Sequence, residues 1–308
     1  MEDGRTLLES LPADLQAQVR RAVPLKTLTS LQVGGPAALV CPIHNPEQAL
    51  RFQALARERD IPFFILGGGS NVLADDRGYH GLIFHVATQY LDPQGDTVRA
   101  GAGLSFDGVI QSTLDLGLTG LEFASGIPGT LGGALVGNAG CYGHEIGEFL
   151  VEALLLRPDG RLETVGPEAF GFRYRETDVR ETGTVVLEAV LRLRRGDVAR
   201  AADVRREKIL DRRAKHPVDL PSAGSWFRNL PSGEPGGRRQ AAGALLEQAG
   251  AKDMREGNAR VFAKHANMII NAGGATSGDI LRLAARMKQA VWEKFGIRLV
   301  EEVRYLEP

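Results

Sequence analysis

Pro62-Phe63-Phe64-Ile65-Leu66-Gly67-Gly68-Gly69-Ser70-Asn71 is five apolar residues followed without a break by three glycines and two small polar side chains. The apolar run reads as a buried strand bounded by turn chemistry. Three glycines let the chain turn tightly and leave backbone amides bare toward a pyrophosphate, while Ser70 and Asn71 add side-chain donors. The stretch is not a P-loop, because no Gly-Lys-Ser/Thr follows. It is not a dinucleotide fingerprint of the GxGxxG kind either. Gly101-Ala102-Gly103 begins that pattern, but Phe106 stands where the third glycine belongs. Taken alone, the run is equally an ordinary glycine turn and a ligand loop.

Its context tips the balance. Glycine supplies 38 of 308 residues, well above the usual share of about 7%, and the excess lies between Gly67 and Gly147. A second dense stretch, Ser125-Gly126-Ile127-Pro128-Gly129-Thr130-Leu131-Gly132-Gly133, continues as Gly137-Asn138-Ala139-Gly140-Cys141-Tyr142-Gly143. With little periodicity, the block over 117–147 reads as a long loop, and loops of that length in compact domains are functional or disordered. Its apolar content argues against disorder. Bare backbone in two stretches suits a planar cofactor that carries phosphates.

Working outward, the pattern predicts an N-terminal helix over the first 24 residues, with Leu7, Leu8, Leu11, Leu15 and Val19 on one face. A short strand is expected near 37–40. Asn45-Pro46-Glu47 marks a helix start, with a helix to about 59. Strands follow over 81–86 and 97–100, then a helix over 105–116. From Leu150 the chain reads as strand, with a turn at Pro158-Asp159-Gly160. Residues 185–193 alternate as a long strand covered more heavily on one face. Gly196-Asp197 opens a charged helix to about Lys215, the candidate domain boundary. Beyond it come a loop over 217–237, a helix near 241–249, strands near 259–262 and 267–271, and a final helix. That helix opens on Thr276 and Asp279 and stops at Gly296. Residues 297–306 read as a closing strand. Strands and helices mix without regular βαβ alternation, so the fold class is α+β.

Composition narrows the function. A formal net charge of −1 gives no pull toward nucleic acid or a membrane surface. No apolar run is long enough to span a bilayer, and the N-terminus has no apolar signal core. Two distant cysteines, Cys41 and Cys141, fit reduced thiols in a cytoplasmic chain. Six scattered histidines without HExxH or CxxC give no metal site.

Four further segments could carry chemistry, and each has a plain reading beside it. Phe172-Arg173-Tyr174-Arg175 is, unaided, an ordinary surface pair. Ala223-Gly224-Ser225-Trp226-Phe227-Arg228-Asn229 contains a serine in a turn setting with no nucleophile elbow around it. Lys264-His265-Ala266-Asn267 is a polar row that suits an anion or simply solvent. In Glu301-Glu302-Val303-Arg304, strand alternation would put Glu302 and Arg304 on one face.

In their order along the chain, GGGSN, SGIPGTLGG with GNAGCYG, FxYR, AGSxFxN, KHAN and LxxEVR, these segments resemble the UDP-N-acetylenolpyruvoylglucosamine reductase family. The resemblance runs from about Leu31 to Arg304. It implies an FAD-binding domain of the vanillyl-alcohol-oxidase (PCMH) type over 1–196, in lobes of about 1–80 and 81–196, and a smaller α+β substrate-binding domain over 197–308. Non-covalent FAD would be held by Gly67, Gly68, Gly69, Ser70, Asn71 and Val72, and by Ser125, Gly126, Ile127, Pro128, Gly129, Gly132 and Gly133, with Asn138 and Gly140. The resemblance implies NADPH as reductant and an enolpyruvyl UDP-N-acetylglucosamine as small-molecule substrate, in peptidoglycan precursor synthesis. It implies no nucleic-acid, membrane or obligate protein partner. Hydride would pass from flavin N5 to the enol ether. Arg175 and Glu302 would steady the enolic carboxylate, and Ser225 would give the proton. Tyr142, Tyr174, Arg228, Asn229, Lys264, His265, Asn267 and Arg304 match the family's substrate contacts.

The chain departs from some members. Residues 176–183 lead almost at once into the next strand, so a tyrosine-bearing lid loop is missing and the chain resembles the shorter type. Leu230 stands where a proline often follows the asparagine, and 231–237 is an unusual local loop. Two rivals remain at this point. One is another FAD oxidoreductase of the same fold, with His144 as a conceivable tether. The other is a nucleotide-sugar binding protein without catalysis.

Overall fold

The structure is a computed structural model and describes residues 4–9, 11–232 and 239–308. The expected loop over 231–237 therefore lies outside the described residues from 233 onward. The class is α+β, and the chain divides into two compact units. The first comprises 1–22, 37–68 and 80–211; the second comprises 23–36, 69–79 and 212–308. The division differs from the expected boundary at 196/197. It falls inside the helix Val198–Lys215, and two early segments belong with the C-terminal part.

The first unit is built on two larger sheets. One has four strands in the order Arg20–Pro24, Pro36–Ile43, Tyr79–Val86 and Phe63–Leu66. The last two run parallel, with Phe63 opposite Leu82. The other is an antiparallel sheet of five, ordered Leu162–Val165, Leu150–Leu156, Val185–Arg192, Thr97–Gly101 and Leu91–Gln94. The helix Pro46–Glu58 starts where predicted, because the Asn45 carboxamide accepts from the Gln48 amide at 2.9 Å. Likewise Ser105 caps the helix Phe106–Asp115.

In the second unit, a four-stranded antiparallel sheet, Ser222–Ser225, His265–Asn271, Ala259–Phe262 and Arg255–Glu256, packs against the helices Ala242–Gln248 and Ser277–Phe295. Thr276 and Asp279 close a reciprocal capping box, and Gly296 ends the long helix in a left-handed conformation. Asp75, buried, accepts from the Arg77 guanidinium at 2.9 Å and from the Tyr305 hydroxyl. That tie fastens the inserted segment 69–79 to the last strand. The Arg77 guanidinium also holds the Asp75 carboxyl far below its usual range.

Five expectations need correcting. The N-terminal helix is two pieces, Gly4–Glu9 and Ala13–Gln16, because Pro12 has no amide to donate and disfavours helix at Leu11. Its stripe still faces inward: Leu7, Leu11 and Leu15 are buried. Residues 20–24 are an edge strand instead of helix, and mostly exposed, so no periodicity announced them. The strand Phe63–Leu66 is only half-buried over its first three residues. Inside the glycine block, Thr130 caps a short helix, Leu131–Val136. The closing strand shrinks to Arg304–Leu306, since the chain changes partner at Val303. Before it, Phe227 bridges Glu301; after it, Arg304 pairs with Val72 in parallel.

Gln53 sits on the helix Pro46–Glu58, 2% exposed, and neither end of its carboxamide has a hydrogen-bond partner among the described residues. An unsatisfied buried amide costs about 1–3 kcal/mol. Gln53→Met, close in shape and equally tolerant of helix, is expected to raise Tm by several degrees, roughly 2–4 °C per kcal/mol for a chain of this size. Thermal unfolding checks this, and a lower Tm contradicts it.

Candidate functional site

The first unit builds a cradle of bare backbone. The strand Phe63–Leu66 delivers Gly67 and Gly68 directly onto Gly129 and Thr130. A Cβ on Gly67 would stand 2.4 Å from the Thr130 hydroxyl, and one on Gly68 2.9 Å from Gly129 Cα. Neither contact admits a side chain. Loop 125–133 is fixed from behind. Phe106 donates to Gly129 O, Leu131 to Leu104 O and Gly132 to Ala102 O, all within 2.8–3.0 Å. The Asp107 carboxylate accepts from the Gly126 amide at 2.7 Å and from both terminal nitrogens of Arg205, at 2.6 and 2.8 Å. Ser125 is buried, and its hydroxyl donates to the Glu122 carbonyl. Pro128 and Gly68 stay exposed beside these anchors, and Ile127 is half-buried. Such glycine-only backbone, open on one side and rigidly backed, fits an extended pyrophosphate such as that of FAD.

The unit boundary falls between Gly68 and Gly69. In the second unit Gly69 has φ +61°, and a Cβ there would stand 2.0 Å from Leu28 O. Its carbonyl accepts from the Ser30 amide. Ser70 and Asn71 follow, both half-buried, and the Asn71 carboxamide donates to Glu302 O at 3.1 Å. Val72 is buried in the parallel pair with Arg304.

Arg175 lies in the first unit on a tight turn. Arg173 and Glu176 exchange both backbone hydrogen bonds, at 2.9 and 3.1 Å, so Tyr174 and Arg175 form a two-residue loop. Arg175 has φ +57°, the position of such a turn that glycine ordinarily fills. A left-handed arginine costs about 1 kcal/mol or more and persists only where neighbours hold it. Arg180 donates to its carbonyl at 3.0 Å, and the Thr177 hydroxyl donates to Val136 O at 2.7 Å. The Tyr174 ring lies 5.9 Å from the Arg175 guanidinium carbon. Gly140 pairs with Glu145 in a hairpin whose tip carries Tyr142. Tyr142 is exposed and left-handed, donates to Asp211 at 2.7 Å, and has the Lys208 ammonium 4.1 Å from its ring centre. Residues 176–184 lead by turns straight into the next strand, as read.

In the second unit, Ser225 and Glu302 come onto neighbouring backbone segments. Glu302 donates its amide to Trp226 O at 2.8 Å, and Arg228 donates to Val300 O at 2.9 Å. Segment 226–228 is therefore antiparallel to 300–302, with Glu302 opposite the residue after Ser225. Ser225, Arg228, Glu302 and Arg304 are all half-buried. The alternation argument for Glu302 and Arg304 fails, because the bend at Val303 breaks the strand between them. Asn229 uses its side-chain oxygen to accept from Ala242 N at 3.1 Å.

Lys264 is exposed in the turn between two strands. His265 follows it, its ring 5.5 Å from that of His216. Its Nδ1 accepts from the Asn267 amide at 3.3 Å, which leaves the proton on Nε2. Burial pulls the His265 pKa below its usual value. Asn138 and Asn267, expected as ligand contacts, are buried and bonded to the protein itself.

No group of three or more His, Cys, Asp or Glu side chains suited to a metal ion occurs among the described residues. Nor is any described helix long and apolar enough to cross a membrane.

Two family models match the chain, the FAD binding domain over 36–166 and the C-terminal domain of UDP-N-acetylenolpyruvoylglucosamine reductase over 216–306. A reductase of that name from Symbiobacterium thermophilum is 40% identical over 93% of this chain and 92% of its own. One from Rubrobacter xylanophilus is 39% identical over 99% and 98%. The crystal structure of UDP-N-acetylenolpyruvylglucosamine reductase from Thermus caldophilus matches with a TM-score of 0.79 and 31% identity, over 94% of this chain and 98% of that one. The chain belongs to the UDP-N-acetylenolpyruvoylglucosamine reductase family. It is an FAD-dependent oxidoreductase with an FAD-binding domain of the PCMH type, and the cradle at Gly67, Gly68 and 125–133 lies in that reductase's first half.

Two contacts made by the candidate residues were invisible in sequence. Arg205 reaches Asp107 across 98 positions, from a helix that reads as solvated surface. His216 precedes the 223–229 segment and carries no sequence signal of its own, yet its ring lies 5.5 Å from that of His265.

A histidine with a lowered folded pKa leaves the unfolded chain binding more protons just below pH 6.5, so stability rises with pH through that window and is lost on acidification. His85, half-buried, has its pKa lowered by desolvation and then by the charge of Arg20, and adds in the same direction. Urea unfolding at pH 7.0 and 5.5 should show the loss, and His265→Gln should show a smaller one. Parallel losses contradict the assignment.

Proposed function

We propose that this chain reduces the enolpyruvyl group of UDP-N-acetylglucosamine enolpyruvate to UDP-N-acetylmuramate in peptidoglycan precursor synthesis, with NADPH as reductant, in the cytoplasm. Residues 1–196 would form the FAD-binding part and residues 197–308 the substrate-binding part. The observation that carries the reading is the backbone pairing of 226–228 with 300–302, which sets Ser225 and Glu302 on adjacent segments.

FAD, held without a covalent bond by Gly67, Gly68 and loop 125–133, supplies the hydride chemistry. The protein's own residues handle charge and protons. Addition of hydride to the terminal carbon of the enol ether leaves negative charge on the carbon that bears the carboxylate. Arg175 supplies a fixed cation for that charge, and a preorganised cation in a dry site is worth far more than in water. Glu302 shares the enolic carboxylate with it. Ser225 donates the proton to the carbon, and a hydroxyl suffices because an enolate carbon is strongly basic. Lys264 balances the diphosphate, and the Nε2–H of His265 adds a neutral donor. Arg228, Asn229 and Arg304 lie on these polar segments of the second unit, and Tyr142 and Tyr174 are further substrate contacts in this reading.

Ser225→Ala should leave bleaching of the flavin absorbance by NADPH at the wild-type rate while slowing its recovery with the enolpyruvyl UDP-sugar by at least about 10²-fold, the size of a general-acid effect. Rapid recovery in this variant removes Ser225 as donor.

A further inference from the structure

We propose that Asn138, Asn267 and Asn71 are positioning residues, each clamping the backbone of a segment that carries one of the three catalytic side chains. The inference rests on the function proposed above and adds to it the parts that hold Arg175, Ser225 and Glu302 in place.

Asn267 is 2% exposed. Its side-chain oxygen accepts from the Phe227 amide at 2.9 Å and its nitrogen donates to the Phe227 carbonyl at 2.8 Å. Its own carbonyl accepts from Trp226 N at 2.8 Å. Residues 226 and 227, immediately after Ser225, are thereby fixed through three hydrogen bonds to one residue. Only a carboxamide presents a donor and an acceptor side by side, so neither aspartate nor leucine of similar shape reproduces the clamp.

Asn138 is 1% exposed and left-handed at φ +42°. Its nitrogen donates to Arg173 O at 3.0 Å and to the Glu145 carboxylate at 2.5 Å, and its oxygen accepts from Gly147 N at 3.2 Å. Both side-chain protons are used. The carbonyl it grips belongs to the first residue of the turn in which Arg175 is strained, so the clamp supplies part of what keeps an arginine where glycine would be favoured.

Asn71 is half-buried and donates to Glu302 O, while its own carbonyl accepts from Arg304 N at 3.0 Å. Glu302 is held from one side by Asn71 and from the other by Trp226 O. Motif position alone assigned all three asparagines to cofactor or substrate. Asn138 and Asn267, buried and bonded to the protein through both ends of the carboxamide, touch the reaction only through the residues they hold.

A ligand contact and a positioning residue differ in what they change. The test uses the FAD-loaded full chain, with Asn267→Ala and with Asn138→Gly, which keeps backbone freedom at φ +42°. Calorimetric titration with UDP-N-acetylmuramate should give a Kd within about twofold of wild type, while recovery of flavin absorbance at saturating enolpyruvyl UDP-sugar falls roughly 10–10²-fold. In a Ser225→Ala background, Asn267→Ala should cause little further loss, and Asn138→Gly should cause little in an Arg175→Gln background. A Kd raised tenfold or more with the saturated rate intact, or losses that multiply independently, overturns the proposal. If Asn267→Ala unfolds, Asn267→Asp keeps the acceptor to Phe227 N and should fall between wild type and alanine in rate alone. Absence of recovery in the wild type itself would instead fall on the underlying reading of function.

Discussion

A side chain at Gly67 or Gly68 has nowhere to go. The first would drive a Cβ to 2.4 Å from the Thr130 hydroxyl, which is held as a helix cap, and the second to 2.9 Å from Gly129 Cα, where the neighbour is backbone and no flexible tip can give way. This contact between two glycine-bearing loops determines much else. It requires the strand Phe63–Leu66 to end where it does, and it fixes loop 125–133 as the start of the helix Leu131–Val136, with Thr130 as cap. Everything behind the contact holds it: Ala102, Leu104 and Phe106 by backbone, Asp107 and Arg205 by charge.

A second consequence is carried by the chain itself. Leaving Gly68, it enters the other unit at Gly69, and the insert 69–79 is stapled there by Asp75 to Arg77 and Tyr305. The short parallel pair Val72–Ala74 with Arg304–Leu306 sets the C-terminus beside the same insert. One glycine loop therefore begins packed on Gly129 and Thr130 in the first unit and ends, at Asn71, as support for Glu302 in the second. The functional reading follows from this economy: rigid backbone holds what must not move, and few side chains are left to do chemistry.

How much of this could be read beforehand varies with the range of the interaction. Local signals worked. Asn45-Pro46 gave the helix start, Thr276 with Asp279 gave the capping box, and the glycine stretches gave the cradle, because each depends on residues within a turn of one another. Interactions between distant positions did not show. Nothing at Asp107 points to Arg205, and nothing in 69–79 reveals that it belongs with residues after 212. The exposed edge strand Arg20–Pro24 had no apolar alternation to betray it. Motifs gave residue identity but not direction: Asn138 and Asn267 stand in the expected stretches, yet turn inward onto backbone. Proline at 12 cut a helix whose stripe was read correctly.

The central claim, that bare backbone at Gly68 is what receives the cofactor, is tested most directly by titrating the apoprotein of Gly68→Ala with FAD and following flavin fluorescence, with Gly108→Ala as the control. Gly108 lies in the helix Phe106–Asp115, where alanine meets only Ser105 at 3.4 Å and gains helix propensity of about 1 kcal/mol. The account predicts a folded Gly68→Ala chain whose Kd for FAD rises at least about tenfold, a loss of 1.4 kcal/mol or more, beside an unaltered control. Unchanged affinity at Gly68→Ala would contradict it.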